Sequence, residues 1–470
     1  MQPRRFRVAL TAIAGLLAIA SALAVPASRA VDEARTVQPP PQQQQQKPPE
    51  LELKISGGGG APPRFAVPDF IALTNDAETA AAAKTIAQVL WDDLVFEREF
   101  DMIPRDTYAT IPRATSVTSV PFDRWRELGA DGLVIGTVEK RGNELSVAVR
   151  LFQTRDRRQV FGKEYSGSAS NPRLYAHTIS DEIHEQQVAL RGVARTHLTF
   201  TSDRNGEQVS GTVEAREVKE IYISDYDGAN QRRVTVNRRL NITPAWSPDG
   251  RAIAYTSYRR GFPDIFISRI YEGSPPSNPT GGKGNSYLPA WSPDGTKIAF
   301  MSTRDGNAEI YTMNVDGSGL RRLTNHPAID VTPTWSPSGT HIAFTSDRSG
   351  SPQIYVMSAD GLEVRKLTSE SYCDRPTWSP APYNEIAYTS RTGGYDIMVI
   401  DLTTNERRQI TFGEGWNESP AFAPNGRHLA FTSTRTGTKQ IFTIARDGRR
   451  DSIRQITKAG NNETPNWSPR

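Results

Sequence analysis

The sequence predicts a mainly β protein in which a six-bladed β-propeller follows a small α+β domain. Two observations support this prediction. A Trp-Ser-Pro motif recurs at nearly constant spacing through the C-terminal part, and residues 64–195 mix helical and strand patterns. The 470 residues also exceed what one ordinary hydrophobic core accommodates, so more than one domain is expected.

The repeat defines the C-terminal domain, which we assign to residues 196–470. Consecutive copies of the motif are 43 to 45 residues apart. This period is long enough for four short strands, as in a propeller blade. A single sheet of this kind cannot bury both of its faces, so neighbouring sheets must stack. The six copies begin at Trp246, Trp291, Trp335, Trp378, Phe422 and Trp467.

One repeat shows how a blade is built. Ser292 to Gly295 form a Ser-Pro-Asp-Gly turn, in which proline fixes φ and glycine accepts a positive φ. Alternating apolar residues then predict a second strand at 297–302 and a third at 309–314, and an outer strand follows at 320–324.

The ends of the repeat region predict how the ring closes. Strand patterns at 199–203, 220–225 and 232–235 have no Trp-Ser-Pro motif before them. The chain ends on a sixth motif that has no strands after it. We therefore expect this last strand to complete the first blade, which gives six blades and leaves no free sheet edge at the junction.

Residues 64–195 predict a small α+β domain. Helical periodicity alternates with strand-like runs, and Gly142-Asn143 marks a turn between two of the strands. The predicted elements are strands at 65–73, 132–138 and 145–152 and helices at 77–94 and 174–190.

Residues 1–30 have the pattern of a secretory signal peptide. Arg4, Arg5 and Arg7 precede an apolar run, and small residues flank a cleavage site after Ala30. An uncleaved membrane anchor is the alternative. The segment holds four arginines and no aspartate, glutamate or lysine, so its removal leaves 52 basic and 52 acidic residues. This balance excludes the basic footprint of a nucleic-acid-binding protein.

Residues 31–63 form a Pro/Gln-rich segment that should be flexible. Within it, residues 50–56 alternate polar and apolar side chains and predict a strand. One interpretation is an edge strand of the next domain, and the other is a detachable segment that pairs with a partner protein. The residues of this candidate binding strand are Glu50, Leu51, Glu52, Leu53, Lys54 and Ile55.

The sequence predicts no catalytic residue, no cofactor and no metal site. The six histidines are scattered, and neither a nucleophile elbow nor a P-loop is present. Asp-Gly pairs such as Asp227-Gly228 recur at matched places in the repeat, which indicates hairpin turns rather than calcium ligands. The single cysteine, Cys373, is interpreted as a small buried hydrophobe, and it rules out an internal disulfide.

The blades differ most just before each inner strand, a position that faces one mouth of a propeller channel. Such mouths bind partners or small ligands, although ordinary solvated loops are the alternative. The candidate partner-binding residues there are Asn285, Ser286, Asp330, Thr332, Asp374, Asn417 and Glu418.

These motifs together resemble the TolB family. The resemblance rests on Ser-Asp-Tyr-Asp-Gly at 224–228, the Trp-Ser-Pro-Asp-Gly repeats and His177-Thr178 with Ser180-Asp181-Glu182, and it covers about residues 50–470. It implies a periplasmic protein of the Tol–Pal system that acts as a monomer and reaches the membrane only through its partners.

In the family, the propeller mouth binds the peptidoglycan-associated lipoprotein Pal and the N-terminal strand is linked to TolA. The resemblance therefore implies that the mouth residues bind a Pal-like lipoprotein and that the strand at 50–56 binds a TolA-like protein. The role would be to maintain outer-membrane integrity and constriction during cell division. This chain departs from the family pattern in that residues 31–49 precede the strand.

Two other function classes remain open at this stage. One is a propeller enzyme, either a hydrolase or a lyase, and the other is a propeller that binds peptidoglycan or sugar directly. The fold alone does not separate these classes from a protein-binding function.

Overall fold

The computed structural model describes residues 54–55, 61–208, 218–391 and 393–469. The predicted signal peptide therefore lies outside the described residues, as does most of the Pro/Gln-rich segment. Of the predicted binding strand, Lys54 and Ile55 are described, and neither belongs to a strand. No helix in the described ranges has the length and apolar character needed to cross a membrane.

The first domain is a mixed six-stranded sheet with two long helices and one short one. The strand order is β3-β1-β4-β5-β6, with β2 also paired to β4. The pairs that involve β1 and β2 are parallel, whereas β4, β5 and β6 form an antiparallel meander. The elements are β1 (Arg64–Ala66), β2 (Ile71–Ala72), α1 (Ala77–Glu97), β3 (Asp101–Met102), α2 (Phe122–Glu127), β4 (Gly132–Arg141), β5 (Glu144–Gln153), β6 (Arg158–Ser168) and α3 (Pro172–Val188).

Helices α1 and α3 bury their apolar faces against this sheet. Asp76 begins α1 as its N-cap and accepts a hydrogen bond from the backbone of Thr79 at 2.7 Å. Apolar residues three and four positions apart, such as Ile86 and Leu90, are fully buried. Ile179 and Ile183 of α3 complete the same core. The spacing of the apolar residues thus explains both helices.

The first predicted strand is wrong in one respect, because the run at 65–73 forms two short strands, β1 and β2. Pro68 lies between them and has no backbone N–H to donate to a ladder. β6 was not predicted, because its exposed and half-buried residues give little apolar alternation.

The second domain is a ring of six antiparallel sheets, so the predicted fold class is confirmed. In each blade the strand that ends in the repeated motif lines the channel, and the other strands lie farther out. Blade 1 contains β7 (His197–Ser202), β8 (Glu220–Asp225), β9 (Arg232–Arg233) and β29 (Asn462–Trp467); blade 2 contains β10 (Asn241–Trp246), β11 (Ala252–Ser257) and β12 (Asp264–Arg269); blade 3 contains β13 (Ser286–Trp291), β14 (Lys297–Ser302), β15 (Glu309–Asn314) and β16 (Arg321–Arg322). Blade 4 contains β17 (Asp330–Trp335), β18 (His341–Ser346), β19 (Gln353–Ser358) and β20 (Arg365–Lys366); blade 5 contains β21 (Cys373–Trp378), β22 (Glu385–Arg391), β23 (Tyr395–Asp401) and β24 (Arg407–Gln409); blade 6 contains β25 (Asn417–Phe422), β26 (His428–Ser433), β27 (Gln440–Ala445) and β28 (Arg454–Gln455).

The last strand closes the ring. β29 pairs antiparallel with β7, with Asn462 opposite Ser202 and Trp467 opposite Leu198. The indole Nε1 of Trp467 donates a hydrogen bond to Thr196 Oγ1 at 2.7 Å. Two strands more than 250 residues apart in sequence therefore share one blade.

Blade 2 differs from the four-stranded pattern that the repeat predicts, because its sheet has three strands. In place of an outer strand, a single bridge joins Ile267 to Ser277. The segment that would form the strand contains Pro275, Pro276 and Pro279, which cannot donate to a ladder.

The first domain packs on the Ser-Pro turn side of blades 1 and 6. Arg98 pairs with Asp451 at 3.2 Å, and Arg427 pairs with Glu97 at 2.5 Å. The ring of Phe96 stacks on His428 with centroids 4.2 Å apart. Inner strands begin at the opposite side of the propeller, so that side of the channel faces away from the first domain.

Candidate functional site

Each of the six inner strands carries the same backbone irregularity where it lines the channel. The register of pairing shifts within the strand, and the residue at the bulge adopts a left-handed conformation with φ between 49° and 58°. A proline follows it in every blade. This conformation costs a residue with a side chain roughly 1–2 kcal/mol. The six bulge residues are Thr243, Leu288, Thr332, Arg375, Ser419 and Thr464.

Threonines of the neighbouring blade hold several of these bulges in place. The backbone N–H of Leu288 donates to Thr256 Oγ1 at 3.1 Å. Ser419 makes the same contact with Thr389, also at 3.1 Å. Because each donor and acceptor belong to adjacent blades, the bulges also connect the blades around the channel.

At the end of the channel nearer the first domain lies a cavity of about 520 Å³. Its wall is built from the six bulge residues and from the aromatic and proline residues of the repeated motif. Arg191, from the segment between the two domains, also lines it. The guanidinium of Arg191 donates to the carbonyl of Pro469 at 2.7 Å, which attaches this segment to the closing strand.

The opposite end of the channel is surrounded by the six side chains that precede the bulges, and we call this ring the open mouth. Its members are half-buried, and they divide by chemistry. Blades 2, 3 and 4 contribute apolar or aromatic groups, whereas blades 5, 6 and 1 contribute carboxylates. The ring consists of Ile242, Tyr287, Val331, Asp374, Glu418 and Glu463.

The three carboxylates of the open mouth have different partners. Burial opposes ionisation of Glu463, but Lys219 at 2.7 Å and Lys439 at 2.8 Å outweigh this effect and lower its pKa to about 2. Asp374 accepts hydrogen bonds from the hydroxyl of Thr345 at 2.9 Å and from the backbone N–H of Arg375 at 2.7 Å. Glu418 has no ion pair with any residue of the described ranges.

An aromatic arc lies beside the acidic half, and sequence reasoning did not identify it. Tyr372 and Tyr395 meet edge to face at 5.7 Å, and Tyr395 meets Trp416 at 5.6 Å. The side chain of Trp416 is 56% exposed. A signal was available, because Trp416 is the one tryptophan after residue 195 that lies outside a Trp-Ser-Pro motif.

Three of the predicted mouth residues have side chains that point into the blades. Ser286, Asp330 and Asn417 each begin an inner strand and are fully buried. Asp330 pairs with Arg348 at 2.7 Å, and Asn417 accepts a hydrogen bond from Arg435 at 3.0 Å. These side chains fix the ends of strands within their own blades.

Of the other four predicted residues, Asn285, Asp374 and Glu418 lie at the open mouth, whereas Thr332 is a bulge residue that lines the cavity deeper in the channel. Asn285 is exposed, and Thr332, Asp374 and Glu418 are half-buried. The hydroxyl of Thr332 in blade 4 donates to Asp374 in the adjacent blade 5 at 3.3 Å. Asp374 and Glu418 occupy equivalent positions in adjacent blades.

The predicted TolA-binding strand is described only at its end. Glu50, Leu51, Glu52 and Leu53 lie outside the described residues. Ile55 is buried in the core of the first domain, and its backbone N–H donates to Gln187 Oε1 at 2.9 Å. Lys54, next to it, is exposed.

Buried histidines lie between the two domains rather than in the channel. Burial, reinforced by nearby Arg427, lowers the pKa values of His184 and His428 to about 3. His177 donates from Nδ1 to Asp93 at 2.9 Å. Neutral imidazoles at His184 and His428 therefore belong to the packing between the domains.

Family models match both domains. The model described as the TolB beta propeller domain matches residues 185–470, and the model described as the TolB amino-terminal domain matches residues 51–160.

Curated relatives carry the name Tol-Pal system protein TolB. The relative from Bordetella avium is 38% identical over 427 residues, which cover 89% of this chain and 90% of that protein. The one from Desulfosudis oleivorans is 36% identical over 209 residues, which cover 44% of this chain and 45% of the relative. The one from Anaeromyxobacter dehalogenans is 35% identical over 294 residues, which cover 60% of this chain and 65% of the relative. The chain thus spans about half to two thirds of the length of the latter two relatives.

A solved structure has the same architecture. The crystal structure of TolB from Acinetobacter baumannii aligns with a TM-score of 0.73 and 24% identity, covering 87% of this chain and 97% of that one. This likeness supports the fold. The resemblance seen in the sequence motifs is confirmed by the two family models and by the Bordetella avium relative: the chain belongs to the TolB family of Tol–Pal system proteins.

Proposed function

We propose that this chain is a periplasmic binding protein of the Tol–Pal system, exported by a cleaved signal peptide. Its open mouth binds a Pal-like lipoprotein, and its N-terminal segment binds a TolA-like protein. Through these partners it contributes to outer-membrane integrity and to constriction during cell division. The observation that carries the proposal is the asymmetry of the open mouth, where an aromatic arc that ends in the exposed Trp416 borders three carboxylates.

The open mouth has the composition of a protein-binding surface. Binding energy concentrates in a few aromatic anchors surrounded by polar groups. Trp416 and Tyr395 supply rigid aromatic area, and Ile329 adds an apolar side chain that is 48% exposed. Glu418 supplies a carboxylate that has no ion pair with another described residue, and it is suited to a basic group on a partner.

The N-terminal segment is suited to a second partner. Ile55 attaches the chain to the core of the first domain, so the segment before it reaches that domain at a fixed point. Alternating side chains at 50–55 would allow the segment to add as a strand to a partner's sheet. Binding there would leave the open mouth accessible, because the mouth faces away from the first domain.

A non-catalytic role agrees with the chemistry of the lone thiol. Burial raises the pKa of Cys373 to about 12, and its side chain is fully buried. A thiol of this kind is not a nucleophile at neutral pH. Cys373 therefore acts as a packing residue of blade 5.

The proposal is tested by titrating the protein with the purified soluble domain of the Pal-like lipoprotein from the same organism. Trp416→Ala should raise the dissociation constant roughly 30-fold, which is typical of a central aromatic anchor. Tyr271→Ala is the matched control, because Tyr271 is an exposed aromatic residue on the outer edge of blade 2. The Tyr271→Ala variant should bind within twofold of the unmodified protein. Equal affinities of all three proteins would contradict a Pal-binding mouth.

Direct sugar binding is the second candidate, and the exposed ring of Trp416 favours it. In that case the protein should sediment with purified peptidoglycan that carries no protein. Loss of sedimentation in Trp416→Ala, together with no binding of the lipoprotein, would replace the first proposal with this one.

A further inference from the structure

A cluster of metal-ligand side chains lies where the first domain meets blade 1. His177 projects from α3, whereas Asp225 ends β8 and Asp227 lies in the hairpin turn that follows. His197, at the start of β7, lies near Asp225. The sequence predicted no metal here, because two of these residues look like an ordinary turn and the histidines are far apart in the chain.

The donor atoms of three of these residues are close enough for one ion. Ligand atoms of His177, Asp225 and Asp227 lie within 4.8 Å of one another. His177 Nε2 is 3.9 Å from Asp225 Oδ2, and His197 Nε2 is 3.7 Å from Asp225 Oδ1. Bonds of about 2.0–2.2 Å to a tetrahedral ion place neighbouring ligand atoms roughly 3.4 Å apart. For His177, Asp225 and Asp227, shifts of up to about 1.4 Å would close this difference. His197 lies outside this group of three, beside the other oxygen of Asp225, and would also have to turn its ring towards the ion.

The imidazole of His177 is oriented as a ligand. Its Nδ1 lies 2.9 Å from Asp93 Oδ2, and Asp93 Oδ1 accepts a hydrogen bond from Tyr226 at 2.6 Å. A carboxylate at Nδ1 is the usual outer-shell partner of a metal-binding histidine, because it fixes the ring and raises its basicity. His177 is 97% buried, and its Nε2 makes no hydrogen bond to any described residue. This nitrogen points towards Asp225.

We propose that His177, His197, Asp225 and Asp227 bind one divalent transition-metal ion, with Zn²⁺ the best match. Two imidazoles and two carboxylates are a nitrogen and oxygen set that zinc accepts in tetrahedral geometry. Calcium and magnesium prefer oxygen ligands alone, so the imidazoles select against them.

The other contacts of the carboxylates are compatible with a metal. Asp225 accepts from Asn230 at 2.7 Å, Asp227 accepts from the backbone of Ala229 at 3.0 Å, and Arg173 pairs with Asp227. A carboxylate has about four lone-pair positions, so each can also bind an ion. Arg173 and Arg232 lie near the cluster and offset part of the negative charge that Asp93, Asp225 and Asp227 carry when ionised.

The ion would join the two domains. His177 belongs to the first domain, and the other three ligands belong to blade 1 of the propeller. Once His197 has turned towards the ion, all four positions of a tetrahedral ion would be filled by the protein, as in structural rather than catalytic zinc sites. This role is independent of partner binding at the open mouth.

The experiment is a zinc titration of the chelator-treated protein by calorimetry, with the metal content after dialysis measured by mass spectrometry. We expect about one zinc ion per chain and a rise of several degrees in the midpoint of thermal unfolding, because a ligand that binds the folded state stabilises it. Asp225→Asn and Asp227→Asn should each weaken binding at least tenfold and remove most of the thermal shift.

Asp316→Asn is the matched control. Asp316 occupies the same hairpin position in blade 3, where its carboxylate accepts from the backbone of Ser318 at 2.9 Å as Asp227 does from Ala229. This variant should bind zinc like the unmodified protein. Absence of saturable binding would overturn the site and leave His177 as an ion-pair partner of Asp93 and Asp225. Binding that is unchanged in both Asp225→Asn and Asp227→Asn would equally overturn it.

Discussion

At the scale of single residues, the contact between the domains depends on buried groups whose charge is sensitive to pH. His428 is buried against the ring of Phe96, and its Nε2 donates to the carbonyl of Phe96 at 3.1 Å. Glu97, beside it, is buried and accepts a hydrogen bond from the backbone of Val193 at 2.7 Å. Burial raises the pKa of Glu97 to about 7, although Arg427 acts in the opposite direction. The two domains therefore meet through groups that favour their neutral forms.

His428 should make stability fall in mild acid. Its pKa is lowered from 6.5 to about 3 by burial and by Arg427, so the unfolded chain binds a proton in this range before the folded chain does. The stabilisation is complete above pH 6.5 and is lost as the pH falls towards 3; at pH 5 the loss is about 2 kcal/mol. We expect the free energy of unfolding, measured by urea denaturation, to fall between pH 7 and pH 5. This fall should be about 2 kcal/mol smaller in His428→Gln than in the unmodified protein.

His341 provides the control for this prediction. It occupies the first position of β18, which is the register position that His428 has in β26, but it is exposed. His341→Gln should keep the pH dependence of the unmodified protein. Parallel curves for the unmodified protein and His428→Gln would show that His428 does not titrate as its burial requires.

At the scale of elements, the inner strands are the irregular part of an otherwise regular repeat. Each has a bulge residue with positive φ that is not glycine. The following proline disfavours a helical alternative for that residue and removes one N–H from the ladder. Strain of this kind persists where the surroundings fix the backbone, and here threonines of the neighbouring blade do so.

Ser419 allows this strain to be measured. At an ordinary strand position, alanine is more stabilising than glycine by about 0.5–1 kcal/mol. At φ of 57° the order should reverse, and Ser419→Gly should be more stable than Ser419→Ala by about 1 kcal/mol. Ala430 lies in the regular second strand of the same blade, and Ala430→Gly should destabilise the protein. Urea unfolding gives the free energy of unfolding of each variant. If Ser419→Ala is more stable than Ser419→Gly, the bulge is not strained.

The sequence predicts regular strands better than it predicts the mouth. Strands β14 and β15 match their predicted ranges, because alternating apolar residues are buried between blades. Asp330 and Asn417 were grouped with accessible residues, because a sequence does not show that Arg348 and Arg435 reach back to them. Trp416 was missed because its exposure depends on how two blades meet.

At the scale of the whole molecule, the ring depends on a strand that is distant in sequence. Closing a large loop is costly in entropy, so the pairing of β29 with β7 must be strong. Trp467 is buried against blade 1 and is hydrogen-bonded to Thr196. Without this strand, β7 would have a free edge.

Trp467→Ala should therefore open the ring at one place. We expect the free energy of unfolding to fall by about 3–5 kcal/mol, because the truncation leaves a cavity and removes contacts. Amide hydrogen exchange in β7 should become faster, while exchange in β18 stays slow. Trp335→Ala is the control, because this tryptophan has the same place in blade 4, where consecutive strands are joined by short loops. Similar exchange in β7 for both variants would argue against a weak point at the closure.

The missing fourth strand of blade 2 gives this protein a convenient place for attaching a reporter. The segment 271–275 is exposed, and no described ladder runs through it. It lies on the outer rim, away from the channel. A short epitope tag or a single dye-bearing cysteine inserted there would perturb neither the ring closure nor the aromatic arc, so the protein could be followed in living cells while both of its proposed binding surfaces remain intact.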